Sequence, residues 1–148
     1  MEENKYATSF LVGGQIFAVD TEAVRHILEN IQPTRVPLTK PFVIGIINNH
    51  GTMIPVVDLR KLLGKQPDDT LREQCIIIIG VEENGKEEMV GFKVDEMDDV
   101  FPYTPENFKP ETVLDLTPEV QNAVAGTIKI ADKFVCLLKS AELASAML

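Results

Sequence analysis

The stretch from Gly45 to Leu59 constrains this chain more than any other. Val43 to Ile47 is a short apolar run, Asn49-His50-Gly51 has the chemistry of a tight turn, and Met53 to Val57 is apolar and β-branched again. That order predicts a hairpin of two strands, with Gly51 supplying the positive φ the corner needs. Neither arm alternates between apolar and polar residues, so the hairpin is expected to be buried on both faces, with its turn projecting from a rim. The same layout returns 81 residues further on, from Gly126 to Ser140, with a corner at Ala131-Asp132-Lys133. Another pair, Phe17-Ala-Val-Asp and Phe92-Lys-Val-Asp, lies 75 residues apart. Two spacings near half of 148 residues predict a duplicated unit, each half a small β-structure that cannot bury its open face alone.

Composition excludes several classes of function. With 45% hydrophobic and 25% charged residues the chain is long enough and apolar enough for a sizeable core. A net charge of −9 and a pI near 4.7, with no run among its 14 basic residues, argue against nucleic-acid binding and against an anionic membrane surface. The first residues, Met-Glu-Glu-Asn-Lys-Tyr, lack the basic and apolar regions of a signal peptide, and no apolar run approaches a spanning helix. A cytoplasmic chain with no direct membrane insertion is expected. Cys75 and Cys136 sit inside apolar strands and are read as inert core thiols.

Taken in order, Tyr6–Val12 and Gln15–Asp20 form a hairpin about Gly13-Gly14. Asp20-Thr21 is expected to cap a short helix over Glu22–Leu28, with Val24, Ile27 and Leu28 on one face. Gln32 to Pro37 reads as extended and edge-like, because its prolines remove ladder donors. Asp58 is expected to cap a one-to-two-turn helix ended by Gly64, and Lys65–Glu73 to be a linker. Cys75–Val81, with four consecutive isoleucines, is placed in the core shared by the halves, and turns back at Asn84-Gly85 to Met89–Val94. Pro102–Leu116 reads as a surface loop. Short helices are predicted from Thr117 and from Ser140, and Phe17, Phe42, Phe92 and Phe134 are assigned to the core. No phosphate-cradling glycine loop, nucleophile elbow or metal motif appears, and the acidic clusters at 82–83, 87–88 and 95–99 lack the spaced ligands of a calcium loop. No catalytic residue, metal or cofactor is assigned.

Several of these segments together resemble the chemotaxis coupling proteins, the CheW-like domains. Thr34-Arg-Val-Pro, Pro41-Phe-Val-Ile-Gly and above all Gly51-Thr-Met-Ile-Pro-Val-Val-Asp-Leu-Arg carry the likeness, and Gly91–Val100 and Gly126–Leu138 extend it over nearly the whole chain. The resemblance implies an all-β fold with a few short helices, in which two intimately packed five-stranded β-barrel subdomains share a hydrophobic core. The chain is then one CheW-like domain over 1–148, with one subdomain over residues 15–65 plus a C-terminal part and the other over 74–135. It also implies a non-enzymatic adaptor joining the cytoplasmic tips of chemoreceptors to the regulatory domain of a CheA-type histidine kinase, with self-association in arrays at the membrane.

Where the family usually has Asn-Leu-Arg-Gly at the first hairpin turn, this chain has Asn48-Asn49-His50-Gly51, and His26 stands where a glutamate is common. Lys139 replaces a common aspartate at the second hairpin. Exchanging arginine for imidazole removes a permanent charge and a five-donor fork. These departures leave two other readings open, an adaptor for a two-component system outside motility and a small-ligand sensor using the groove between barrels. A zinc or pH-responsive site formed by His26 and His50 lacks a third ligand, so both are read as surface histidines at an interface. The expected contacts are Val24 and His26, then Arg35, Val36 and Pro37, and the rim Asn48, Asn49, His50, Gly51 and Thr52.

Overall fold

The computed structural model describes residues 5–29, 31–35, 43–64, 75–110, 116 and 118–147. Strands β1 (Lys5–Val12), β2 (Gln15–Asp20), β3 (Val24–Glu29), β4 (Val43–Asn49), β5 (Thr52–Asp58), β6 (Cys75–Glu83), β7 (Lys86–Val94), β8 (Glu96–Tyr103), β9 (Phe108–Lys109), β10 (Val124–Ile130) and β11 (Lys133–Leu138) build two sheets. The first runs β8-β1-β2-β11-β10-β9 and the second β3-β6-β7-β5-β4. Three short helices, α1 (Leu59–Leu62), α2 (Pro118–Gln121) and α3 (Ser140–Met147), fall where turn and cap residues predict them. The second sheet has the five strands expected, and the first gains a sixth from the two-residue β9.

The four hairpins turn where glycine and short polar residues predict, and the two halves of the repeat interlock. Strand β5 runs parallel to β7, pairing Val57 with Phe92, while β11 runs parallel to β2, pairing Leu138 with Val19. Each sheet therefore takes one hairpin from the first half and another from the second. The chain crosses between sheets twice, after Asp20 and at Asp95, the aspartates of the repeated Val-Asp pairs. Residues 15–65 and 74–135 each contribute strands to both sheets.

Alternation within strands sorts side chains into three cores. Cys75, Ile77, Ile79, Val90, Phe92 and Val94 of the second sheet meet Phe10, Phe17, Val19, Cys136 and Leu138 of the first in one shared cluster, which residues of all three helices also join. The Phe10 and Phe92 rings close this contact across the sheets, with centroids 5.8 Å apart. Ile76 and Ile78 face the opposite way, with Ile47, Ile54 and Val56. Ala18, Ile128, Val135, Leu137 and Tyr103 form the corresponding cluster on the first sheet. Both cysteines are buried and unbridged in the shared core.

Three local expectations are corrected. Residues 22–28 are not a helix: a single 3-10 turn, Thr21–Ala23, leads directly into strand β3. Val24, His26, Ile27, Leu28 and Glu29 pair with Ile79, Ile78, Ile77, Ile76 and Cys75 of β6, and this ladder outweighs the helical spacing of a seven-residue segment. Asp20 makes no side-chain cap and instead accepts the Tyr103 hydroxyl at 2.5 Å. The segment 102–116 is not all loop, since β8 continues through Tyr103 and Phe108–Lys109 pairs with β10. Phe134 is not in the core but 66% exposed, because it lies beside the β10–β11 turn with Lys129 Nζ over its ring at 5.9 Å. Phe42 and the predicted linker 65–73 lie outside the described residues.

The Tyr103–Asp20 bond has a consequence for alkaline stability. Burial, and then donation to Asp20, raise the Tyr103 pKa above the ordinary phenol value. A proton held more tightly in the folded than in the unfolded chain contributes stability that is complete below about pH 10 and is lost as pH rises towards the folded value. Urea titrations between about pH 9 and about pH 11 are expected to show this decline, and Tyr103→Phe to remove most of its slope. An unchanged slope in that variant assigns the decline to other groups.

Candidate protein-docking surface

The β4–β5 turn is rigid for a local reason. His50 (φ 52°) and Gly51 (φ 86°) both adopt the left-handed region, as the two-residue hairpin loop requires. The Asn48 side-chain oxygen accepts the Gly51 amide at 2.9 Å and pins the loop. Asn48, His50, Gly51 and Thr52 are exposed and Asn49 is half-buried. Next to them Met53 is 57% exposed, a rim residue that apolar-strand reasoning assigns to the interior. Its counterpart in the second repeat is Phe134, so the repeat itself marks both positions as outward-facing.

The other expected contacts separate into two groups. Thr34 makes two backbone bonds with Ile46, of 2.8 and 2.9 Å, and this bridge brings exposed Arg35 alongside Gly45 on the β4 edge. Val24 and His26 lie on β3, the opposite edge of the same sheet order, with Ile27 exposed beside them. His26 thus stands on β3 and His50 in the β4–β5 turn. Arg25, between Val24 and His26, pairs with Glu87, which shares a groove with Thr52 and Met53 of the rim. Val36 and Pro37 lie outside the described residues. Exposed Ile31, which the sequence did not single out, follows β3 towards the bridge.

Where the chain crosses from β2 to β3, an open cleft of about 460 Å³ is lined by Asp20, Glu22, Arg25, Glu82 and Glu87. Arg25 Nε meets Glu87 at 2.6 Å and its Nη1 donates to the Glu22 carbonyl at 2.6 Å. Gly80 on the intervening strand makes room for this pair, since a Cβ there would crowd the Arg25 Nε at 2.8 Å.

Behind the surface lies a buried charge network. Asp58 caps α1 by accepting the Arg60 amide at 3.0 Å, as the sequence suggests, and also receives the Arg60 guanidinium through two bonds of 2.8 and 2.9 Å. Arg60 Nη1 reaches Asp95 at 3.1 Å, and the other Asp95 oxygen accepts the Gly13 amide at 2.8 Å. Asp95 also donates its own amide to the Leu11 carbonyl at 3.1 Å. The network thus ties the β1–β2 turn of one sheet to α1 of the other at a crossover point. No group of three or more His, Cys, Asp or Glu placed to hold a metal occurs among the described residues. No helix among them is long and apolar enough to cross a membrane.

Two interlocked sheets that hold exposed apolar corners in fixed positions define a protein-docking scaffold. A family model described as a CheW-like domain matches residues 7–147. The probable chemotaxis protein CheW of Rhizobium etli is 30% identical over 136 residues, which cover 88% of this chain and 81% of that protein. The chemotaxis protein CheW of Bacillus subtilis is 38% identical over 91 residues, covering 62% and 56% respectively. The crystal structure of the scaffolding protein TtCheW from Thermoanaerobacter tengcongensis superposes with a TM-score of 0.79 at 26% identity, over 94% of this chain and 86% of that one. The chain belongs to the CheW-like domain family, and it is a non-enzymatic scaffold of chemotaxis signal transduction.

Proposed function

We propose that this chain couples the cytoplasmic tips of chemoreceptors to the regulatory domain of a CheA-type histidine kinase, within receptor-associated arrays. The β4–β5 rim supports the reading most directly: a turn with two consecutive left-handed residues, pinned by Asn48, presents His50 and Met53 to solvent. Asn48–Thr52 and the neighbouring Arg35 form one contact, and Val24 and His26 on β3 form the other. Val36 and Pro37 belong with Arg35 in this assignment. The two groups stand on different strands of one sheet, and a receptor helix and a kinase barrel are the two partners they serve. His50 and His26 offer an imidazole rather than the permanent charge of an arginine, and so select partners that do not require one there.

Gly51→Val is the direct test. A β-branched residue at φ 86° carries strain of about 1 to 3 kcal/mol, which the fold tolerates while the turn deforms. Pull-down of purified kinase regulatory domain is expected to fall at least about tenfold for this variant, with a native circular-dichroism spectrum retained. Full kinase capture by a folded Gly51→Val protein removes the rim from the interface.

A further inference from the structure

Strand β3 changes face partway along its length. Val24 packs on the core shared by the two sheets, whereas Leu28, four residues further on, packs against the cluster of Ile76 and Ile78 on the other side of the same sheet. Regular alternation forbids that, because residues an even number apart share a face. Val24 pairs with Ile79 and His26 with the adjacent Ile78, so Arg25 is the extra residue of a β-bulge. Beyond the bulge Ile27 returns to the side of Val24, and His26 stands on the side of Leu28.

The Arg25 side chain holds this bulge from two directions. Its Nη1 donates to the Glu22 carbonyl in the turn just before β3, and its Nε meets Glu87 on β7. To reach β7 it crosses the intervening strand β6 over Gly80, where a Cβ would collide with the Glu87 carboxylate and crowd the Arg25 Nε. A glycine inside a strand weakens it, and here the ion pair occupies the space a side chain would fill. Glu87 also stands opposite Glu82 in the β6–β7 ladder, a like-charge contact that the guanidinium relieves. We propose that Arg25 is a positioning residue: clamped over Gly80 between Glu22 and Glu87, it fixes the bulge that sets Val24 and Ile27 on one face and His26 on the other. This rests on the docking reading of β3, and with the kinase domain on the rim it is the receptor tip that meets these side chains. A bulge released from its clamp slides along the strand, and a slip of one residue turns a contact side chain to the wrong face.

Titration of a purified, labelled receptor cytoplasmic-tip fragment with the full chain tests it. Arg25→Ala and Gly80→Ala are each expected to raise Kd about fivefold, the upper end for a partly exposed ion pair. Gly80→Ala does so by displacing the ends of both side chains while every charge is retained. The two changes act on one contact, so the double variant is expected to match either single variant. Arg25→Lys, which meets Glu87 without also holding Glu22, is expected to fall between wild type and Arg25→Ala. Glu87 is left in place because it also walls the groove beside Thr52 and Met53. Urea midpoints are expected to stay near that of wild type, since a half-exposed pair contributes little to global stability. Effects that multiply in the double variant, or a loss of binding that only follows the folded fraction, overturn the proposal. Ile27→Ser separates it from the docking reading: a Kd raised by Ile27→Ser but unchanged by Arg25→Ala and Gly80→Ala overturns the proposal alone, and a Kd unchanged by all three overturns both.

Discussion

Arg60→Ala is expected to lower the unfolding free energy by about 3 to 5 kcal/mol, the cost of breaking a buried ion pair by removing one partner. Arg60 is 3% exposed, and its hydrogen bonds to Asp58, ahead of those to Asp95, hold the guanidinium firmly in its charged form. Without it, the buried Asp58 and Asp95 carboxylates lose the guanidinium they share. The loss should appear in urea titrations as a lower midpoint with an unchanged m value. Arg60→Lys is expected to recover only part, because one ammonium cannot reproduce the paired bonds to Asp58 while also reaching Asp95. Replacing Asp58, Arg60 and Asp95 together by apolar residues of similar volume should be far milder than Arg60→Ala, since no charge is then stranded. A loss below about 1 kcal/mol for Arg60→Ala would show that the carboxylates find compensation elsewhere.

That network also marks the boundary of what local sequence can show. Asp58 as a helix cap was legible, because the cap and its donor lie two residues apart. Asp95 as a partner of the same arginine was not, because the parallel pairing of β5 with β7 brings it there from 35 positions away. The hairpins about Gly13-Gly14, Asn84-Gly85 and His50-Gly51 were legible for the same reason as the cap, their backbone requirements being met by neighbouring residues. Val24, Ile27 and Leu28 satisfy helical spacing and predict a helix, whereas the β6 isoleucines that make this segment the strand β3 are some 50 residues distant. The crossover exchange of hairpins between sheets, invisible to any window, is what makes two similar halves into one body.

The docking surface divides along the same line. The turn residues Asn48–Thr52 announce themselves by composition, whereas Met53 and Phe134 look like core residues because apolar side chains in strands usually are. Their exposure follows from position beside a turn at the sheet's end, and only the comparison of one repeat with the other makes the pair conspicuous. Polar corners alone give a site its shape. The adjoining apolar side chains give it binding energy, and for that reason the rim with Met53 is a better candidate interface than its turn sequence suggests.

Gly45→Ala and Gly126→Ala are each expected to cost about 3 kcal/mol, the upper end of the range for overpacking. Both glycines sit at a register shift in the first strand of a repeated hairpin. A Cβ at Gly45 would collide with the backbone carbonyl of Thr34, and one at Gly126 with that of Lys109. In each case the obstacle is an edge segment laid against the strand by backbone bonds, Thr34 on Ile46 and Lys109 on Thr127, and backbone cannot yield as a side-chain end can. Gly91→Ala is the control: its new methyl would meet methyl groups of Ile76 and Val56 at 3.1 and 3.2 Å, which yield by a few tenths of an ångström, so a distinctly smaller loss is expected. Because the two hairpin glycines lie in different sheets, their losses should add to within about 0.5 kcal/mol. Denaturant titration of the three single variants and the double mutant checks all of this, and a Gly45→Ala loss no larger than that of Gly91→Ala would mean the Thr34 segment moves freely. Displacing that segment also shifts Arg35 from the β4 edge, so Gly45→Ala should weaken partner capture beyond its effect on the folded fraction, while Gly126→Ala, in the other sheet, should not.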